Sequence, residues 1–307
     1  MGAIVRLSRR HRRGLAFGAV RALAGIARLL PRRGALGLFG GAGRLFFELG
    51  LDRHGRERAL ENLRRVFGDT MDERDIRRLC GRAYSMLARS AADALRLGGL
   101  TREAAERLVE ARGIERLEAA YREGRGVICV TGHIGNWELL GAYCSLQGYP
   151  VSVVATSLRD PRFDEMIVGI RESVGIDNIP RGASPRRLVS ALRRGRILGI
   201  LMDQNTAVAG IPADFLGTEA HTPVGPASLA LATGAVVLPM AIYWIDGARY
   251  VVEVGERVPV ERTGDRDRDL REVTERLNRE LSRFILEHPD QWVWMHDRWR
   301  RRADEAI

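Results

Sequence analysis

The chain has 307 residues, 45% of them hydrophobic, and a formal net charge of +10. That length accommodates one large α/β domain or two small ones, and the apolar content supports a substantial core and argues against disorder. Three cysteines (Cys80, Cys129, Cys144) give neither a disulfide framework nor zinc spacing, which fits a reducing compartment.

The position of the charge is more informative than its amount. Every one of the 49 basic residues is an arginine, as a GC-rich genome would produce, so composition alone says little about phosphate recognition. Residues 1–47 hold ten arginines and no acid, and the remaining arginines balance the 39 acids of the rest. Helical numbering over 14–32 puts Gly14, Gly18, Arg21, Gly25, Arg28 and Arg32 on one face and apolar residues around the rest. A second apolar stretch follows, from Gly34 through Gly43 to Phe47. Neither piece reaches the ~18 uncharged residues of a spanning helix. A basic amphipathic helix belongs in the interface of an anionic bilayer. A helix pair docked on the globular domain is the alternative, and the two readings are compatible. The cluster Gly40-Gly-Ala-Gly43 follows no strand, so it is not read as a nucleotide loop. Ser8-Arg9-Arg10 resembles a twin-arginine export signal, but Arg12, Arg13, Arg21 and Arg28 interrupt the apolar run such a signal needs.

Further on, Arg53–Arg65 is polar and basic with Leu60, Leu63 and Val66 on one side. Thr70-Met-Asp-Glu73 has capping-box spacing and predicts the start of a long helix. Its inward face would be Ile76, Leu79, Cys80, Ala83, Leu87, Ala91, Ala94 and Leu95. Thr101 caps a helix predicted to end near Gly113, and another runs from Ile114 to about Glu123. Alternation then begins. Strands are predicted at 126–131, 151–156, 176–180, 197–202, 235–244 and 249–256. Helices fall at 136–147, 161–174, 185–194 and 223–233, three of them opened by Asp160-Pro161, Ser184-Pro185 and Thr222-Pro223. A last helix covers 266–287, with Leu270, Val273, Leu277, Leu281 and Phe284 inward. The pattern predicts an α/β fold with a mainly parallel sheet flanked by helices. The organisation read here is a membrane-associating segment at 1–50 and one globular domain at 51–307.

In open α/β sheets, sites form beyond the carboxyl ends of the strands. Three predicted strand ends carry polar residues. The first delivers Thr131-Gly-His133-Ile-Gly-Asn-Trp-Glu138, the second Ser157-Leu-Arg159-Asp160, and the third Asp203-Gln204-Asn205. A neutral imidazole at His133 suits removal of a hydroxyl proton near pH 7, and a carboxylate, Glu138, would fix its tautomer. Gly132 and Gly135 permit close backbone approach, and the N–H groups opening the helix at Asn136 suit an oxyanion. The alternative is a histidine satisfied in a turn and a glutamate on a solvated face. Arg159 offers a bidentate contact to a phosphate or phosphopantetheine, or is simply a surface arginine. Asp203 and Gln204 orient a substrate hydroxyl or Arg159, or cap the loop. Gly135 and Asn136 complete the candidate substrate site. The segment from Asp214 to Thr222 is read as an ordinary hairpin in preference to a loop covering the site. No metal constellation, Walker loop or G-x-S-x-G elbow occurs. The basic excess is interleaved with aliphatics, which favours a membrane surface over nucleic acid.

The string from Thr131 to Glu138 resembles the motif of the bacterial lipid A biosynthesis acyltransferases, within the wider H-x4-D/E glycerolipid acyltransferases. The likeness continues at Arg58-Ala-Leu-Glu-Asn-Leu63, Ile179-Pro-Arg181, Gly199-Ile-Leu-Met-Asp-Gln204 and Thr222-Pro-Val-Gly-Pro226. It reaches His288-Pro-Asp-Gln-Trp-Val-Trp-Met-His296 and Arg298-Trp299. The resemblance implies a monotopic enzyme on the cytoplasmic face of the inner membrane. It implies an acyl carrier protein or CoA thioester as donor, a membrane glycolipid as acceptor and no other cofactor. It implies His133 as base with Glu138 as partner, and a substrate site including Arg159 and Asp203. Glu138 leans towards the lipid A branch, since relatives that acylate phosphatidylinositol mannosides typically have Asp there. The uninterrupted N-terminal span common in the lipid A branch is missing, replaced by the cationic amphipathic segment.

Overall fold

The computed structural model describes residues 9–300. Residues 1–8, including Ser8 of the arginine motif, lie outside the described residues. Four helices come first: α1 (Arg9–Leu29), α2 (Arg32–Glu48), α3 (Arg53–Phe67) and α4 (Glu73–Ala94). Then α5 (Arg102–Leu108) leads into β1 (Val109–Arg112), and α6 (Ile114–Arg122) into β2 (Val127–Thr131). The alternating part follows: α7 (Trp137–Leu146), β3 (Val151–Ala155), α8 (Pro161–Glu172), β4 (Asp177–Pro180), α9 (Pro185–Arg193) and β5 (Ile197–Leu201). A hairpin of β6 (Gly210–Phe215) and β7 (Thr218–Pro223) precedes α10 (Gly225–Thr233), β8 (Val236–Ile245), β9 (Arg249–Val254) and α11 (Arg266–Glu287).

The main sheet runs β1-β9-β8-β2-β5-β3-β4. All its pairs are parallel except β8 with β9. The exception has a local cause. A short turn through Gly247 and Ala248 joins β8 to β9, whereas parallel neighbours need long crossovers. The central strands are buried on both faces, so side-chain alternation divides the core in two. Ile128 and Val130 of β2 pack with α3, α4, α9 and α11 on one side. Val127 and Cys129 pack with α5, α6 and α7 on the other.

Three local expectations change. Residues 109–112 are a strand because parallel pairing with β9 overrides a helix-like local sequence. The long helix is capped by Asp72, whose carboxylate accepts the Asp75 N–H at 2.8 Å, not by Thr70. Thr222-Pro223 ends β7, and the proline in the first turn of α10 is Pro226. On α4 the inward face holds at Ile76, Leu79, Cys80 and Ala83. It then turns to Met86, Ser90 and Asp93, leaving Ala91 exposed.

That turn is explained by α2. The side chain of Arg32 makes two hydrogen bonds to buried Asp93, at 2.9 and 2.6 Å, and the Tyr250 hydroxyl donates to the same carboxylate at 2.9 Å. The glycine cluster lies where α2 crosses α4. A Cβ at Gly43 would stand 2.6 Å from the Tyr84 carbonyl oxygen, so only glycine allows this approach. α2 is thus docked on the α/β body, while Leu15, Leu23, Leu29, Leu38 and Leu45 of α1 and α2 are exposed. Among the described residues, no helix is long and apolar enough to cross a membrane.

Candidate functional site

Parallel pairing of β2 with β5 builds the site. Their register ends with Thr131 opposite Leu201. Two residues further on, both chains leave the sheet side by side, and His133 meets Asp203. The imidazole Nδ1 lies 2.8 Å from Asp203 Oδ1, and the His133 backbone N–H donates to Oδ2 at 2.7 Å. The Trp292 indole N–H donates to Oδ2 as well, at 2.7 Å. Asp203 is 1% exposed. Burial would raise its carboxyl, but the adjacent imidazole and these donors outweigh burial and hold it at about 2, below the ordinary 3.8. An ionised carboxylate only accepts, so Nδ1 carries the imidazole proton, an assignment made from the network. That leaves the Nε2 lone pair for the cleft. The imidazole also stands edge-on to Trp137, with ring centroids 4.9 Å apart.

Glycine is required at two points. A Cβ on Gly132 would stand 3.1 Å from the Asp203 carboxylate. At Gly135, φ is 57° and a Cβ would lie 2.0 Å from the Ile242 carbonyl oxygen. Asn136 caps α7, its side-chain oxygen accepting the Leu139 N–H at 3.1 Å, and the Gly135 N–H donates to the Gln291 carbonyl at 2.8 Å. The Leu139 and Gly135 N–H groups thus serve the fold.

Glu138 does not partner the histidine. It sits in the first turn of α7 and binds Arg171 of α8 through both oxygens, at 2.8 and 2.6 Å. Arg171 also donates to the Asn178 side-chain oxygen at 3.1 Å. The H-x4-E spacing therefore supplies two separate pairs, and the carboxylate that fixes the imidazole tautomer is Asp203.

His133 opens on a cleft of about 350 Å³. Val154, Ile167, Val168 and Ile179 give it apolar walls, and Arg171, Arg181 and Gln204 supply polar groups. Arg159 is exposed in the loop after β3 and does not line the cleft; Arg181 does. The cleft holds no candidate thiolate. Cys129 and Cys144 are buried elsewhere, and burial pushes the Cys144 thiol up to about 12. Among the described residues, no cluster of His, Cys, Asp or Glu is placed to hold a metal ion. The residues 214–222 form the β6–β7 hairpin, as expected of an ordinary connection.

Residues missed by sequence reasoning come mainly from the C-terminal segment and α8. Trp292 reaches Asp203, and His296 Nε2 accepts the Asn205 N–H at 2.9 Å. Burial lowers the His296 pKa below its ordinary value, consistent with a neutral acceptor. Only the shared motif His288–His296 hinted at this segment. Arg171 carried no local signal at all.

A mainly parallel α/β sheet thus sets a carboxylate-held histidine at a strand end, facing a cleft with apolar and cationic walls. Residues 6–301 match the family described as bacterial lipid A biosynthesis acyltransferase, and the chain belongs to that family. It is 26% identical over 282 residues to a phosphatidylinositol mannoside acyltransferase of Mycolicibacterium smegmatis, covering 89% of this chain and 88% of that protein. The corresponding Mycobacterium tuberculosis H37Rv protein is 26% identical over 63% of this chain, which spans only 61% of that protein's length. A lipid A biosynthesis acyltransferase of Haemophilus influenzae is 27% identical over 62% of this chain and 59% of that protein.

Proposed function

We propose that the protein transfers a fatty acyl group from an acyl-carrier-protein or CoA thioester to a hydroxyl of a membrane glycolipid. The observation that carries this reading is His133, with Nδ1 held by a buried carboxylate and Nε2 facing the cleft. The acceptor hydroxyl gives its proton to Nε2 as its oxygen attacks the thioester carbonyl. Asp203 stabilises the imidazolium that forms. The tetrahedral intermediate collapses with cleavage of the C–S bond, and the imidazolium returns the proton to the departing sulfur. Gln204, on the cleft wall, is the side chain assigned to the developing oxyanion. Glu138 contributes by holding Arg171 at the cleft.

For the acceptor, the family and Glu138 support a lipid A precursor. The alignment over most of the chain with a phosphatidylinositol mannoside acyltransferase supports that lipid class as the second reading. The protein works at the cytoplasmic face of the inner membrane, held by the cationic segment within residues 1–50 and its exposed leucines. Nucleic acid is not a partner in this reading.

The test uses purified protein, acyl thioester and glycolipid acceptor. His133→Ala abolishes transfer while leaving the fold intact; full activity in that variant overturns the proposal. Free fatty acid as sole product, with acceptor present, makes the protein a thioester hydrolase instead. Mass spectrometry of lipid extracts from cells with and without the gene identifies the acceptor. Replacing Leu15, Leu29 and Leu45 by serine weakens binding to anionic vesicles at least tenfold; unchanged binding refutes the membrane assignment.

A further inference from the structure

Sequence places the residues 291–296 far from both halves of the His133–Asp203 pair, yet in the fold they touch each half. Ile134, next to His133, forms an isolated antiparallel bridge with Trp292. The Gly135 N–H donates to the Gln291 carbonyl at 2.8 Å. Gln291 is itself clamped to β8: its side-chain oxygen accepts the Trp244 N–H at 2.7 Å and its amide donates to the Trp244 carbonyl at 3.0 Å. On the other side, the Trp292 indole donates to Asp203, and His296 accepts from the backbone of Asn205, two residues beyond. Asn62 of α3 ties the segment down from behind, donating to the carbonyls of Trp294 and His296 at 2.8 Å each. Trp292 is 2% exposed and packs against Phe215, Trp294 and Trp299.

We infer that Trp292 is a positioning residue for the base, and that the segment 291–296 is a strap holding the two loops of the His133–Asp203 pair in register. The inference rests on the reading of His133 as base. An aromatic filling this space for packing alone needs no N–H. The indole N–H reaches the oxygen opposite the one that holds the imidazole, so it fixes the rotation of the carboxylate about its own axis. It also shares the negative charge that the imidazole senses. The other groups around Asp203 are the His133 imidazole and backbone N–H, neutral His296 and the buried cationic Arg298.

The experiment replaces Trp292 by Phe in the full chain and reads kcat/KM against pH, with the low-field Nδ1 proton of His133 followed by NMR. Losing one hydrogen bond to a charged acceptor lowers kcat/KM about 10- to 100-fold, mostly in kcat. The carboxylate then keeps more charge for the imidazolium, so the acid limb of the profile moves to higher pH. The Nδ1 proton resonance shifts with it. A variant with the wild-type profile and an unshifted resonance overturns the inference, even if its rate has fallen, because packing alone would then explain the loss. Should the phenylalanine chain fail to fold, β-(3-benzothienyl)alanine at position 292 keeps the ring shape and removes only the N–H, and the same readouts decide. The resonance is read without substrate. A shifted resonance in a protein that transfers no acyl group would therefore sink the proposed reaction and leave the strap standing.

Discussion

Replacement of Asp203 by asparagine separates the histidine's two tautomers. The carboxylate accepts on both sides: from the imidazole Nδ1–H at Oδ1, and from the His133 N–H and the Trp292 indole at Oδ2. Asparagine has one acceptor oxygen and one NH2 donor. With its oxygen in the Oδ2 place, the two N–H donors stay satisfied, but the NH2 confronts Nδ1. The imidazole must then carry its proton on Nε2, where the base needs a lone pair. With the amide flipped, the NH2 meets two buried donors, leaving each unpaired at about 1–3 kcal/mol. The first arrangement therefore wins, and the base is held in the wrong tautomer. The expected loss in kcat is about 10³- to 10⁴-fold, or about 4–5.5 kcal/mol of barrier.

The assay is acyl transfer in the purified variant, with ¹⁵N NMR of the imidazole reporting the tautomer. Asp203→Asn within tenfold of wild type, or with Nδ1 still protonated, refutes the assignment of Asp203. Stability supplies a second reading. Burial raises the Asp203 carboxyl, but His133 and the Trp292 donor lower it by more, to a net value of about 2 against 3.8 in an unfolded chain. A folded-state pKa below the unfolded one means stability that is fully present above pH ~4 and is lost as pH falls through ~2. It is on the order of 2 kcal/mol. Urea unfolding midpoints across that window should fall in wild type and lack this component in the variant.

The Glu138–Arg171 pair has both side chains less than a fifth exposed, at 18% and 15%, so its two halves should act as a unit. In a cycle of Glu138→Gln and Arg171→Met, the double variant should be little worse than either single one, with a coupling of about 2 kcal/mol in unfolding free energy; additive losses refute the coupling. Arg181→Ala should raise KM about tenfold through loss of a charged contact, whereas Arg159→Ala stays within twofold; equal effects in the kinetic assay would contradict the cleft assignment. Gly135→Ala meets both a positive φ and the Ile242 carbonyl, so calorimetry should show a loss of more than about 2 kcal/mol.

The extent to which the site was legible follows from the range of each interaction. The strand ending at Thr131, the glycine-flanked turn and the helix from Trp137 are local features, and local pattern found them. The partner of the histidine is not local. Asp203 lies 70 residues away and meets His133 only because β2 and β5 pair in a particular register. Glu138 is near in sequence, but the first turn of α7 aims it at Arg171. Arg181 directly follows β4 and Arg159 lies in the loop after the adjacent parallel β3, and only the path of each loop decides which one reaches the cleft. The glycines at 40 and 43 carry no local sign of their use in the crossing of α2 with α4, which shows only with α4 beside them.

Alternation of apolar runs and helices determined the strands from β2 onward in the main sheet, their ends and the place of the histidine, because periodicity and turn chemistry act within a few residues. Charge placement marked the N-terminal segment for the same reason: it is a property of position along the chain. Pairing was decided by tertiary structure alone. Strand register set Asp203 against His133, packing of α8 set Arg171 against Glu138, and the return of the C-terminal segment set Trp292 against Asp203. Each of these joins residues that are remote in sequence, and no pattern within one element carries that information.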